Sequence, residues 1–296
     1  MKVCVVGGSG FLGSHVADQL SAAGHKVVIY DRRPSPWLQD RQKMLQGDLL
    51  DLDGLEEAVA GCTAVYNFAA LADLNEALDK PLETVRINIL GNVQVLEACR
   101  RQGIKRFVYA STVYVYSREG GFYRCSKQSA EHYVEEYQKV YGLDYTILRY
   151  GSLYGPRSDE SNGLHRVVKG ALETGVLRYQ GSPETMREYI HVEDAALASV
   201  AALGDDFANQ SVVLTGQEPM RVLDLLEMLA EILELKNAIE FVACEPTGHY
   251  VRTPYAFQPK LGKKYAPTLH VDLGQGLLQL IDIVRARMEN IKLLKS

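Results

Sequence analysis

The chain of 296 residues has one tryptophan, five cysteines and no excess of positive charge. Nor does it have an apolar run near the roughly 18 residues that a membrane-spanning helix needs. The cysteines, Cys4, Cys62, Cys99, Cys125 and Cys244, are odd in number, far apart and without a Cys-x-x-Cys pair. That pattern excludes a zinc ribbon or a disulfide framework and fits a reducing compartment. The 32 Lys and Arg stand against 37 Asp and Glu, a net charge of −5. Such a balance argues against nucleic acid or an anionic membrane as the main partner. His15, His132, His165 and His191 fall in separate segments, so no metal site is expected. The apolar stretch that opens the chain ends at Val6, too short for a signal-peptide core, and the expected location is the cytoplasm. No repeat or low-complexity tract interrupts the chain. What remains is ordinary globular composition, 47% hydrophobic and 23% charged, with 17 tyrosines.

Short apolar blocks alternate with amphipathic stretches over the first 150 residues. Strands are expected at 2–6, 26–30, just before Gly47, 63–68, 106–110 and 145–148. Helices are expected at 11–23, 52–60, 82–102 and 122–141, the third with Val85, Ile89, Val93 and Leu96 at helical spacing. Strands separated by helices imply right-handed βαβ units, hence an α/β fold with a Rossmann-type doubly wound parallel sheet. Beyond Gly151 the elements shorten, with helices near 162–173, from 194, at 220–235 and at 272–292. The expected organisation is a dinucleotide-binding domain over 1–155, to which 181–203 return, and a smaller mixed α/β substrate-binding region over 156–296.

Gly7, Gly10 and Gly13 fall between the first strand and the first helix, with Phe11 and Leu12 inside the same turn. A glycine-rich turn there lets backbone N–H groups approach a pyrophosphate at a helix N-terminus. Asp31 closes the next strand, where a carboxylate binds ribose hydroxyls and repels a 2′-phosphate. Arg32 and Arg33 pull the other way, since two guanidiniums beside the ribose would welcome NADP. NAD is the expected cofactor. Asp48 and Leu49 end the third strand, where they would meet the adenine or simply cap a helix. Phe68, Ala69 and Ala70 close the fourth strand with residues small enough for a cofactor to pass.

Tyr123 and Lys127 share one helix face at i, i+4. An ammonium near a phenol lowers its pKa and makes tyrosinate a plausible base. A solvated surface pair would show the same spacing. Ser111 and Thr112 give the pair its context, because they end the preceding strand on the carboxyl side, where doubly wound sheets bind ligands.

These pieces resemble, in order and over most of the chain, the extended short-chain dehydrogenase/reductases of the NAD-dependent sugar-nucleotide epimerase/dehydratase family. The resemblance also draws on Asn67–Ala70, Asn88 with Gly91, Leu148-Arg149-Tyr150 with Leu153-Tyr154-Gly155-Pro156, and Arg187-Glu188-Tyr189-Ile190-His191-Val192-Glu193-Asp194. It implies Tyr123 as catalytic base, Lys127 as its electrostatic partner and Thr112 as the hydroxyl on the sugar oxygen. Asn88, Ser111 and Tyr150 join the cofactor residues. Arg187, with Arg252 as a weaker candidate, would hold a substrate diphosphate through its guanidinium fork, and Ser152 would touch substrate. Ser152 stands where the family commonly has an asparagine. The dehydratases carry an Asp-Glu pair after the threonine, whereas Val113 and Tyr114 follow here. The segment between Thr112 and Tyr123 is also shorter than usual.

The implied partner is a nucleoside-diphosphate sugar and the implied assembly a homodimer through helices 82–102 and 122–141. The expected reaction is epimerisation through hydride transfer at C4 and a 4-keto intermediate, not 4,6-dehydration. The alternatives are a 4-dehydrogenase releasing the keto sugar, with an activated heptose as one candidate substrate, a reductase of a non-nucleotide carbonyl, and a non-catalytic dinucleotide-binding regulator.

Overall fold

The computed structural model describes the chain except residues 237, 243–251, 255–262, 266–270 and 294–296. Its centre is β1 (Lys2–Val6), whose Val3 to Val6 are buried, as a strand covered on both faces must be. A sharp turn leads into α1 (Phe11–Ala22), then β2 (Lys26–Asp31) and β3 (Gln42–Gln46) pair outward in parallel. After α2 (Leu52–Val59) the chain crosses β1 to lay down β4 (Ala64–Asn67) on its other side. Next come α3 (Leu74–Asp79), α4 (Pro81–Thr84), a π-helical stretch Val85–Gly91 and α5 (Asn92–Arg101). They are followed by β5 (Arg106–Thr112), α6 (Gly121–Tyr141) and β6 (Asp144–Tyr150). Strands Gln210–Leu214 and Lys263–Lys264 complete the sheet. All eight strands are parallel, and the first six stand in the order 3-2-1-4-5-6. This is the expected doubly wound arrangement. Its order reverses between β1 and β4, which opens a crevice at the carboxyl ends of the strands.

One face of the sheet is covered by α2, α5 and α6 through Leu55, Val59, Leu96, Val134 and their neighbours. The other is covered by α1 and by the helix Val192–Ala201, where Val16 and Leu20 share a core with Val192, Ala195 and Ala196. A third core lies outside the sheet, built from Leu164, Val168, Leu226, Leu229, Leu277 and Ile281. Small ladders tie that region to the sheet domain. Ser152–Tyr154 pairs with Tyr189–His191, and Met186–Arg187 pairs with Met220–Arg221.

The spacing predicts one regular helix over 82–102. The structure keeps it continuous but widens residues 85–91 into a π-helical stretch. Gly91 there presses on Leu49, so a Cβ would sit 2.4 Å from Leu49 Cδ2. Periodicity does not report this, because the contact comes from a different strand end.

Candidate active site

The glycine turn shows why its residue types are demanded. Gly7 has φ +80°, and a Cβ on it would lie 2.5 Å from the Ala69 nitrogen. A Cβ on Gly13 would lie 2.3 Å from the Gly7 carbonyl oxygen, so α1 can start this close to β1 only with glycine there. Gly10 differs: the nearest protein atom to its Cβ position is 3.3 Å away. It is the N-cap of α1, no side chain caps the helix, and the first turn holds no acidic residue. The free N–H groups and the positive helix end are therefore left for an anionic ligand. Leu12 is instead a core side chain beside Val16, so only its backbone is available to a cofactor.

Asp31 is held in place from two sides. The Ser9 N–H donates to Oδ2 at 3.1 Å and the Arg33 N–H to Oδ1 at 3.0 Å. The Ser9 hydroxyl donates to the Arg33 carbonyl at 2.8 Å, which ties the turn to the end of β2. A cleft of about 600 Å³ opens here. Gly7, Gly10, Asp31 and Arg32 line it, as do Asp48, Leu49 and the 68–70 segment. Asp48 accepts the Leu50 N–H on Oδ1 at 2.8 Å, and its carbonyl accepts the Tyr30 hydroxyl at 2.9 Å. A long cleft with a helix N-terminus, a ribose-type carboxylate and a small-residue floor fits a dinucleotide. The lining also includes Arg33, and with it Asp73, Asp159 and Ser161, which local sequence signals do not mark as cofactor residues.

At the end of β5, Thr112 and Tyr123 are joined by a hydrogen bond. The Thr112 Oγ1 also accepts the Tyr114 N–H at 3.3 Å. The chain reaches α6 through a single 3₁₀ turn, Val113–Tyr116, and two left-handed glycines, Gly120 and Gly121. Gln128 Nε2 donates to the Val115 carbonyl at 2.8 Å and fastens this turn to α6. Lys127, buried, donates from Nζ to the Ala110 carbonyl at 2.7 Å. Its ammonium stands 4.8 Å from the Tyr109 ring centre and 5.8 Å from that of Tyr123.

The electrostatics differ from the sequence expectation that Lys127 pulls the Tyr123 phenol down. Burial pushes Tyr123 up to about 12, against the lowering effect of the Thr112 hydrogen bond. Burial also brings Lys127 down to about 7, although Glu131 opposes it. In both groups burial of the charge outweighs the opposing contribution, the Thr112 bond on Tyr123 and the Glu131 charge on Lys127.

Three residues expected to touch cofactor have their polar groups committed elsewhere. The Ser111 hydroxyl donates to Glu131 Oε1 at 2.5 Å. Asn88 accepts the Leu71 N–H at 2.7 Å and donates to the Leu71 carbonyl at 3.0 Å and to Ser126 Oγ at 2.9 Å. It joins the chain after β4 to α6, so its amide acts as a structural tie. The Tyr150 hydroxyl bonds Ser199 Oγ at 2.6 Å, under the helix Val192–Ala201. Arg187, buried on its short strand, donates to the Met186 carbonyl at 3.1 Å. Ser152 is half-buried, and its N–H donates to the Glu188 carbonyl at 3.2 Å. Arg252 is exposed. Most of the segment from His249 to Lys264, which matches the family resemblance least, lies outside the described residues. No carboxylate follows Thr112 before Glu119. Val113 is buried there, and the Tyr114 ring meets Tyr123 edge-on, centres 6.4 Å apart.

No helix among the described residues is long and apolar enough to cross a membrane. The model of the NAD dependent epimerase/dehydratase family matches residues 3–214. A UDP-glucose 4-epimerase from Lacticaseibacillus casei is 30% identical over 69% of the chain and 72% of its own length. A dTDP-glucose 4,6-dehydratase from Mycobacterium tuberculosis is 25% identical over 96% of the chain and 93% of its own. Among solved structures, UDP-glucuronic acid 4-epimerase from Bacillus cereus, in complex with UDP-glucuronic acid and NAD, superposes with a TM-score of 0.82. The identity is 26%, over 97% of this chain and 99% of that one.

Proposed function

The chain belongs to the NAD-dependent epimerase/dehydratase family, and from that premise we propose that it is a UDP-sugar 4-epimerase. Its cofactor is NAD. The observation that carries the proposal is the hydrogen-bonded pair Thr112–Tyr123, with buried Lys127 beside it, at the carboxyl end of the strand next to the cleft. The nucleotide is assigned from the 4-epimerase relatives.

The glycine turn and α1 would hold the pyrophosphate of NAD, Asp31 the adenosine ribose, and Lys127 the nicotinamide ribose. Held there, NAD would supply the hydride chemistry, as acceptor and then donor, at the sugar C4 carbon. Tyr123 takes the proton from the C4 hydroxyl and gives it back to the ketone oxygen once the sugar has turned over. Thr112 holds that oxygen through its own hydroxyl, the group that now bonds Tyr123. Lys127 keeps a positive charge beside the phenolate. Arg187 binds the diphosphate, which anchors the nucleotide while the sugar ring rotates.

The positions after Thr112 hold hydrophobic Val113 and aromatic Tyr114 rather than the carboxylates that an elimination of water across C5 and C6 would use, which favours epimerisation. We therefore assign epimerisation rather than dehydration. A second copy is the proposed partner. Leu82, Val85 and Leu90 are exposed on one helix, Leu82 to 86%, and Tyr133, Val140 and Tyr141 on α6. Sedimentation velocity of the purified protein tests that dimer.

The activity is tested by incubating the protein with UDP-glucose and UDP-glucuronic acid and following the sugar by NMR. The C4 epimer should form without accumulating NADH, and Tyr123→Phe should abolish it. Steady release of NADH with a keto sugar, loss of water from the product, or full turnover by Tyr123→Phe would overturn the assignment.

A further inference from the structure

We propose that Asp159 is a second carboxylate that selects NAD against NADP, acting from the substrate side of the cleft on the adenosine ribose. The inference rests on the assignment of the cleft to NAD.

The end of β2 has a mixed charge. Asp31 is followed by Arg32 and Arg33, and all three line the cleft. One carboxylate against two guanidiniums leaves one positive charge in excess. Paired guanidiniums are a good receptor for a phosphate dianion. Taken alone, this wall would tolerate a 2′-phosphate. The cleft has another contributor, since Asp159 and Ser161 line it from the segment that leaves Tyr154-Gly155-Pro156. Asp159 sets a second carboxylate against the guanidiniums of Arg32 and Arg33, in a cleft whose lining also carries Asp48, Asp73, Glu76, Glu83 and Lys80.

Its carboxylate is built to stay charged. Ser161 donates to Oδ1 through its N–H at 2.9 Å and its hydroxyl at 2.6 Å. Oδ2 has no hydrogen-bond partner among the described residues. Partial burial raises the carboxyl, but the bonds from Ser161 and the charges of His165 and Arg33 outweigh it and hold it below the ordinary value.

The segment is also fixed in place. Arg157, in a left-handed conformation with φ 65°, donates to Asp18 Oδ2 on α1 at 2.6 Å. Its guanidinium lies 4.6 Å from the Trp37 ring centre, in the loop that follows Arg33. Arg287 Nη1 donates to the Ser158 carbonyl at 2.7 Å. Asn162 Nδ2 donates to the Leu153 carbonyl at 2.8 Å. On the far wall Arg166 reaches Asp73, which also lines the cleft, at 3.7 Å. The segment is thus pinned to α1 and to the Trp37 loop through Arg157, and the helix that follows it touches the cleft-lining Asp73 through Arg166.

The test is the dissociation constants of NAD and NADP, by isothermal titration of cofactor-stripped protein, for the wild type, Asp159→Asn and Asp31→Asn. Asp159→Asn should tighten NADP by about fivefold, the order of effect expected when one repelling charge near a dianion is removed in a water-like dielectric. NAD should stay within about twofold, and the gain should fade at high salt as surface charges are screened. Asp159→Asn changes an exposed residue without altering its size, so circular dichroism should match the wild type. An NADP-to-NAD ratio equal to the wild type would overturn the role of Asp159 while leaving the cleft assignment intact. A wild-type protein that binds no NAD would overturn the cleft assignment, and the inference with it.

Discussion

The Arg149 guanidinium holds both carboxylate oxygens of Glu131, at 3.0 and 2.6 Å, and the two side chains are almost fully buried. Glu131 also takes the Ser111 hydroxyl, and Arg149 donates to the Tyr116 hydroxyl at 2.5 Å. One ion pair therefore joins the end of β5, the 3₁₀ turn after it and α6, one turn beyond Lys127. Removing one partner strands the other charge in the interior. Arg149→Met should cost about 3–5 kcal/mol in urea unfolding, and adding Glu131→Leu should restore much of it.

Lys127 and Tyr123 set a pH dependence for the cofactor-free protein. Lys127 is brought from an ordinary 10.5 to about 7 by burial. Between those values the unfolded chain binds more protons than the folded one, so stability rises with pH from about 7 to about 10. Tyr123 is raised from 10.0 to about 12. Above pH 10 the unfolded chain loses that proton first, and stability falls. Urea midpoints across this range should show the rise in wild type and a flatter line in Lys127→Met.

Gly10 and Gly13 should separate cofactor binding from folding. Gly13→Ala drives a methyl against the Gly7 carbonyl and should lower the melting temperature strongly. Gly10→Ala meets the Gly7 carbonyl oxygen at 3.3 Å, a tight contact that a small shift relieves, so its stability should fall far less than that of Gly13→Ala. Its methyl stands where a pyrophosphate approaches the helix, so NAD affinity should drop by about tenfold or more. Thermal melts and titration calorimetry distinguish the two.

Arg187→Ala should weaken UDP and UDP-sugar binding by about 10- to 100-fold, the usual value of a charged hydrogen bond. NAD affinity should not change. Equal UDP affinity in both proteins would remove Arg187 from the substrate site. Arg187→Lys, which keeps the charge but loses the fork, should fall between.

The fold was legible in the chain because buried parallel strands are nearly continuous apolar blocks, and β1 with its Val-Cys-Val-Val run is the plainest of them. The glycine turn and the Tyr123–Lys127 spacing were legible for a similar reason: both are local patterns with a period. Ser111, Asn88 and Tyr150 lie in matching segments, but their partners Glu131, Ser126 and Ser199 come from other helices, and spacing does not report partners. The depressed Lys127 has the same origin, since its pKa depends on how deeply α6 packs. Asp159 is the extreme case: nothing around it in sequence marks a cofactor residue, and only the path of the chain over the cleft brings it there.

The cover that Val192–Ala201 provides for α1 also governs how the protein can be made. Val16 and Leu20 are synthesised early, yet the alanine-rich helix that shields them leaves the ribosome only after most of the sheet is complete. Until then one side of the nascent sheet is bare and sticky. Such distant pairing slows assembly and invites self-association. A fragment stopped near residue 155 would keep every glycine of the turn and still carry that bare side. Expressed alone, it should aggregate, and supplying residues 181–203 in the same polypeptide is the minimum repair.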